Sequence, residues 1–216
     1  KINMKIVSVI TARGGSKGLP NKNLYIIKGK ELIYYSIKAS IFSNVNETWV
    51  STDSDKIKHV ALKYGSKVMD RDKKLAGDII MPDPTLVDFA NKVNFDYLVF
   101  IQPTSPLIKH EFINEGIEMI KTGKYDSLFS ATEQHWLPRW DKNINPINWD
   151  ILNRPRRQDR DCNYIENGMF YIASRQIIKQ KKLRYGGRIG MVKIPLKNSF
   201  QLDSKEDLDL LRKLIP

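Results

Sequence analysis

The sequence predicts a three-layer α/β sandwich around a mostly parallel sheet, folded as one domain over residues 1–216. Three observations carry that expectation. Short apolar, β-branched runs lack polar alternation, as strands covered on both faces do. Stretches with apolar residues at helical spacing separate them. The two kinds of segment alternate along most of the chain, the rhythm of a parallel sheet with helices on both faces.

Ile6 to Ile10 is the first such run, and it feeds a glycine-rich basic loop. Glu31 to Phe42 places Leu32, Ile33, Ser36, Ile37, Ser40 and Ile41 on one helical face, and Glu47 to Ser51 reads as strand. Thr52-Asp53-Ser54-Asp55 can cap a helix holding Ile57, Val60, Ala61 and Tyr64, which Gly65 ends. Ser66 to Met69 reads as strand, Asp83 to Lys92 as helix, and Asp96 to Ile101 as another buried strand ending at Gln102-Pro103-Thr104-Ser105-Pro106. A helix over about Lys109 to Lys121, ended by Gly123, precedes a strand near Ser127 to Thr132. From about Glu133 to Asn163 the rhythm breaks: Trp136, Trp140 and Trp149, the prolines 138, 146 and 155, and Arg154-Pro155-Arg156-Arg157-Gln158-Asp159-Arg160 mark an inserted arm or hairpin. Regular structure resumes with a strand at 168–172, a helix after Ser174, a strand at 189–194 and a helix from Ser204 to Leu214.

Composition narrows the function. Hydrophobic residues make up 41% and charged residues 28%, values of a folded soluble domain rather than a disordered chain. The net charge of +12 calls for an anionic partner: nucleic acid, an anionic membrane or a small polyanion such as a nucleoside triphosphate. One cysteine, Cys162, excludes an internal disulfide framework and a cysteine-based zinc site, and His59, His110 and His135 are too scattered to make a metal set. No apolar run approaches the roughly 18 residues of a membrane span. Lys1-Ile2-Asn3-Met4-Lys5 carries no signal-peptide pattern, so a chain beginning there is expected in the cytoplasm. No Gly-x-Ser-x-Gly elbow supports hydrolase chemistry.

The strongest chemical signal is the loop after the first strand, Thr11-Ala12-Arg13-Gly14-Gly15-Ser16-Lys17-Gly18-Leu19-Pro20-Asn21-Lys22-Asn23. Ligands of open α/β sheets sit beyond the carboxyl ends of strands, where this loop lies. Its glycines let backbone N–H groups approach a phosphate chain, Arg13, Lys17 and Lys22 add positive charge, and Ser16 offers a hydroxyl. It matches neither G-x-x-x-x-G-K-[ST] nor G-x-G-x-x-G. A basic, glycine-rich surface turn is the alternative.

From Ala12 to Leu24 the loop resembles the nucleotide-binding signature of the acylneuraminate cytidylyltransferases. Further stretches fall in that family's order: Val50-Ser51-Thr52-Asp53, Arg71 with Leu75-Ala76-Gly77-Asp78, Gln102 to Leu107, Arg157-Gln158 leading to Asn167-Gly168, and Leu202 to Leu208. The resemblance implies a Rossmann-like sheet with a protruding dimerisation arm at about 133–163. It also implies CMP transfer from CTP to the anomeric hydroxyl of a 2-keto sugar acid, with Mg²⁺ assisting and pyrophosphate leaving. Carried over, it assigns the nucleotide to Ala12, Arg13, Gly14, Gly15, Ser16, Lys17, Asn23, Arg71 and Asp78, and the sugar acid to Gln102, Thr104, Arg157, Gln158 and Tyr171. Arg13, Lys17 and Asp203 would act in the transfer, with Asp203 on the metal. Gln102 could instead cap a strand end, Tyr171 could be core with a satisfied hydroxyl, and Asp203 could cap the last helix, although Ser204 serves as well. The arginine cluster could be a solvated basic face, or an RNA-binding patch, a reading that its position in the family pattern disfavours.

Two departures qualify the resemblance. Family members usually carry Asp-x-Asp where this chain has Gln201-Leu202-Asp203, leaving one carboxylate for Mg²⁺. Between Ser174 and Gly190, where the family presents hydrophobes to the acceptor, this chain has Lys179, Lys181, Lys182, Arg184, Tyr185 and Arg188. That predicts a basic wall and a more anionic acceptor: a KDO-like, phosphorylated or phosphonate acid. A binding protein that lost catalysis with Gln201 is the reading from another class. The tryptophans of the arm are expected to be covered in a homodimer.

Overall fold

The computed structural model describes residues 4–15, 19–77, 80–134, 137–160 and 162–215, with only the backbone of Arg157. In chain order the elements are β1 (Ile6–Thr11), β2 (Ile26–Ile27), β3 (Lys30–Glu31), α1 (Leu32–Ile41), β4 (Glu47–Thr52), α2 (Asp55–Lys63), β5 (Lys67–Asp70), α3 (Asp83–Lys92), β6 (Tyr97–Ile101), α4 (His110–Lys121), β7 (Ser127–Gln134), β8 (Asn163–Ser174), α5 (Arg175–Lys181), β9 (Ile189–Lys193) and α6 (Lys205–Leu214). The main sheet has seven strands in the order β5-β4-β1-β6-β8-β7-β9. Every neighbouring pair is parallel except those made by β8, which runs against both β6 and β7.

Alternation along each strand divides the core between the two faces. From β1, Ile6 and Ile10 pack with α1, α2 and α4 through Ile37, Ile57 and Ile117. Val7 and Val9 face the other way, onto α3 and α5 through Leu86, Phe89 and Ile178. These are the three layers the sequence predicts. α6 lies at one end, where Leu202, Leu208 and Leu211 close over Leu19, Ile27 and Leu32 beneath the glycine-rich loop.

The helix ends follow the local chemistry. Ser54 and Ser174 cap α2 and α5 by accepting the N–H of Ile57 and Ile177. Gly65 (φ +91°) and Gly123 (φ +72°) take the left-handed conformation just beyond α2 and α4. At the base of β4, Lys5 and Lys67 both pair with Glu47. Lys5, with Trp49 and Lys67, lowers the Glu47 pKa from 4.5 to about 2. Because the folded value is depressed, its stabilisation is present above about 4.5 and is lost as the pH falls toward 2. Thermal melts between pH 7 and pH 2 should therefore fall less steeply for Glu47→Gln than for the wild type; parallel curves would remove Glu47 as a contributor.

The inserted segment begins later than its composition implies. β7 and β8 pair with each other out to Gln134↔Asn163, so the boundary regions form a two-stranded ribbon. Mutual hydrogen bonding extends both strands, through Glu133 and Gln134 on β7 and Asn163 to Glu166 on β8, beyond the apolar runs that mark them in sequence. Beyond the ribbon, residues 139–147 fold into a small hairpin around Asp141, whose Oδ1 accepts the N–H groups of Asn143 and Asn145. Trp140 packs edge-on to Trp149 at 5.0 Å, and Arg154 lies over the Trp149 ring. His135 and Trp136 are outside the described residues.

Candidate active site

β1 lies between β4 and β6, and the chain leaves it toward β4 before returning to β6. This reversal opens a crevice at the carboxyl ends of β1 and β6, the usual ligand position in open α/β sheets. A cleft of about 360 Å³ occupies it, walled by Thr11, Arg13, Lys22 and Asn23 on the loop side, Arg71, Gly77 and Thr85 opposite, and Gln102 and Thr104 at the end of β6.

The loop is tethered from beneath. Ala12 donates its N–H to the Ser51 carbonyl at 3.0 Å, and Gly14 donates to Asp53 Oδ1 at 2.9 Å. A Cβ on Gly14 would stand 2.9 Å from the Ser54 Cβ, so glycine there permits close approach to the N-terminus of α2; a Cβ on Gly15 would meet nothing within 4 Å. Neither has positive φ, so their part is proximity rather than a left-handed turn. Asn23 is buried, donates from Nδ2 to the Arg13 carbonyl at 3.0 Å, and leaves Oδ1 without a partner. The Thr104 hydroxyl is another buried, unpartnered group in this wall. Such groups are costly unless a ligand satisfies them.

Arg71 is the main buried cation of the cleft. It is 8% exposed and donates to the Ser51 carbonyl at 2.7 Å, and no carboxylate among the described residues lies within ion-pair distance. Burial lowers its pKa to about 10; Asp53 opposes the shift and Arg13 reinforces it. The guanidinium stays charged at neutral pH, so an anion in the cleft would be held by it.

A second cleft of about 530 Å³ adjoins the first, with Gln102 in the wall of both. Its other walls include Thr132 and Gln134 of β7, Glu166 to Gly168 and Tyr171 of β8, and Phe200, Gln201, Asp203 and Asp207 before and within α6. A bulge shapes it. Between Phe129↔Tyr171 and Ala131↔Glu166, two residue steps on β7 face five on β8. Asn167 stabilises the bulge by accepting the Ser130 hydroxyl and donating to Thr132 Oγ1. Gly168 (φ +67°) turns the chain so that the Gln102 and Gln201 amides flank it, the latter donating to the Asn167 carbonyl.

Asp203 stands between the clefts, its Oδ1 accepting Lys22 Nζ at 2.9 Å. It does not cap α6: Ser204 does, in a reciprocal box with Asp207. Asp207 Oδ2 is committed to the N–H groups of Asp203 and Ser204. Among the described residues no group of three or more His, Cys, Asp and Glu side chains could hold a metal. Asp203, an accessible carboxylate beside the first cleft, could hold Mg²⁺ bound chiefly by nucleotide oxygens and water.

The fold thus brings Arg13, Asn23, Arg71, Gln102, Thr104, Tyr171 and Asp203 around two joined clefts, although they are scattered along the chain. Ser16, Lys17 and Asp78 lie outside the described residues. Gln158 is exposed on the arm, in the turn over 157–159, and lines neither cleft. Tyr171 is 3% exposed and stacks on Phe100 at 5.6 Å, so it is core with a satisfied hydroxyl and also a wall of the second cleft.

The expected basic wall is not formed. Arg184 turns inward onto Asp83, Arg188 pairs with Asp126, and Lys179 borders a separate groove with Arg175 and Asn94. Arg184 and Arg188 are drawn to carboxylates from distant sequence, which the local run of cations conceals. The described lining of the second cleft contains Glu166, Asp203 and Asp207 and no lysine or arginine. Asn167 was marked in sequence only as part of Asn167-Gly168, while Glu166 and Thr132 were not singled out, and the one acid of the strand, directly before Asn167-Gly168, was the available signal.

A family profile described as "Cytidylyltransferase" matches residues 7–214. The chain is 36% identical over 213 residues to N-acylneuraminate cytidylyltransferase A of Danio rerio, covering 94% of this chain but 49% of that protein. It therefore spans about half the length of that relative. It is 35% identical over 227 residues to CMP-N,N'-diacetyllegionaminic acid synthase of Legionella pneumophila, covering 98% and 97% of the two chains. Among solved structures, a CMP:2-keto-3-deoxy-manno-octonic acid synthetase complexed with CTP superposes with a TM-score of 0.75 at 18% identity, covering 98% of each chain. That likeness concerns the fold. With a family profile spanning nearly all of the chain and relatives above one-third identity, the protein belongs to the cytidylyltransferase family.

Proposed function

We propose that this protein transfers CMP from CTP to the anomeric hydroxyl of a sialic-acid-like 2-keto sugar acid. The observation that carries the reading is a pair of joined clefts, one holding a buried Arg71 with no ion-pair partner among the described residues and orphaned Asn23 and Thr104 atoms, the other of mixed lining and sugar-sized. The names of the relatives support it, being those of enzymes that act on N-acylneuraminate or make CMP-N,N'-diacetyllegionaminic acid.

In this reading CTP lies in the first cleft, with its phosphates along the loop. The sugar hydroxyl oxygen attacks the α-phosphorus, the α–β phosphoanhydride bond breaks, pyrophosphate leaves, and the hydroxyl proton passes to solvent or base. Arg13, with Lys17 by resemblance, offsets the charge growing on pyrophosphate. Asn23 and Arg71 hold the nucleotide, Gln102 orients the two substrates across the shared wall, Lys22 adds positive charge beside the phosphates, and Asp203 would hold Mg²⁺. The metal, when bound, supplies Lewis-acid polarisation of the phosphoryl oxygens.

Among the described residues no helix is long and apolar enough to cross a membrane. A cytoplasmic role in supplying activated sugars for surface glycans fits a CTP-dependent enzyme. The arm exposes Ile144 (77%) and Leu152 (94%), and a second copy of the chain is the cover we assign to them. Arg157 would then meet the carboxylate of the sugar acid, from its own or the partner's arm.

Pyrophosphate release should be followed with CTP, Mg²⁺ and a panel of sugar acids: N-acetylneuraminate, KDO, and phosphorylated and phosphonate acids. Turnover is expected on the acylated 2-keto acids. The acidic second cleft disfavours the doubly charged acceptors. No turnover on any acid, with salt-sensitive RNA binding, would instead favour a lapsed enzyme acting as a binder.

A further inference from the structure

The second cleft contains a carboxylate with no part in the phosphoryl transfer itself. Glu166 lies on β8 just before the bulge, and its Oε1 accepts the Tyr171 hydroxyl. Burial, and then the Glu166 charge, push the Tyr171 phenol well above its ordinary range, so the proton stays on the tyrosine and Glu166 remains the acceptor. Behind the tyrosine ring, at 5.2 Å, lies the guanidinium of Arg184. Arg184 in turn grips Asp83 through Nε at 3.2 Å and a terminal nitrogen at 2.5 Å, both side chains being nearly buried. Asp83 opens α3, beside Pro82 and Thr85 of the nucleotide cleft. A continuous set of side chains, Asp83–Arg184–Tyr171–Glu166, thus runs from one cleft to the other and fixes one oxygen of Glu166.

A carboxylate can accept several hydrogen bonds, and no second partner for the Glu166 side chain is present among the described residues. In a cleft for an anionic sugar that charge opposes binding, unless the sugar presents a donor to it. Ile165, Leu196 and Phe200 border the same cleft, placing apolar surface in the same wall as the charge. An N–H joined to a small acyl group satisfies both features, whereas a hydroxyl leaves the apolar surface unused.

Resting on the transferase reading, we infer that Glu166 determines acceptor specificity by taking the N–H of an acylamino substituent, with Tyr171 and Arg184 as its positioning residues. The test compares N-acetylneuraminate with the analogue bearing a hydroxyl in place of the acetamido group. The wild type should favour the acylated acid, and Glu166→Ala should shrink the ratio of the two kcat/KM values roughly tenfold or more, the worth of a hydrogen bond to a charged group. Glu166→Gln, which keeps an uncharged acceptor oxygen, should fall between. Tyr171→Phe, which keeps the ring but frees the carboxylate, should shift the ratio the same way by less. Should Glu166→Ala melt early, the Glu166→Gln ratio decides. Equal losses on both acceptors, an unchanged ratio, or a wild-type preference for the hydroxyl analogue would overturn the inference while the transferase reading stands. Absence of turnover on any 2-keto acid would overturn both.

Discussion

Asp203→Asn should lower pyrophosphate release about 10²- to 10³-fold, the scale of losing an electrostatic group that acts on the transferring phosphoryl. The fold should survive. The Asp203 side chain is 65% exposed, its pairing with Lys22 is a surface contact, and Ser204 rather than Asp203 caps α6. Surface changes of this kind move stability by about 0.5 kcal/mol or less. Gln201, two residues before, turns its amide onto the Asn167 carbonyl, and Asp207 Oδ2 is held by backbone N–H groups, so neither is placed to replace Asp203. Paramagnetic titration with Mn²⁺ and CTP should show the affinity of the ternary complex falling with the rate. A variant that binds Mn²⁺ and turns over like the wild type would place the metal elsewhere.

Gly168→Ala should damage both stability and activity. A non-glycine residue at φ +67° costs about 1–3 kcal/mol when the surroundings impose that conformation. Its Cβ would also stand 2.9 Å from Gln102 Oε1 and 3.0 Å from Gln201 Nε2. Those side-chain ends can shift, but Gln102 is shared by the two clefts, so moving it should raise the KM of both substrates. The expected result is a lowered melting temperature together with weakened CTP and sugar-acid saturation. A variant as stable and active as the wild type would mean that the bulge relaxes freely and does not position Gln102.

Much of the site was legible because part of it is local. The stretch from Ala12 to Asn23 carries its glycines and cations in one loop, and the end of a buried strand marks Gln102 and Thr104. Other features had no local signature. Arg71 matters because the fold buries it with no ion-pair partner among the described residues, and Lys22 meets Asp203 only after the chain has passed through the whole sheet. The basic run after Ser174 misled for the same reason, since Asp83 and Asp126 lie far away in sequence and remove Arg184 and Arg188 from the acceptor wall.

Periodicity and punctuation in the chain were enough to place the strands of the main sheet, the helices, their alternation and the layers, though not the short β2–β3 pair, because burial on one or two faces writes itself into neighbouring residues. The antiparallel direction of β8, the length of the β7–β8 ribbon, the bulge at Asn167-Gly168 and the charge of the second cleft were decided only in three dimensions. Each depends on pairing between segments far apart in sequence, and a hydrogen bond or ion pair across such a distance leaves no periodic trace in either partner.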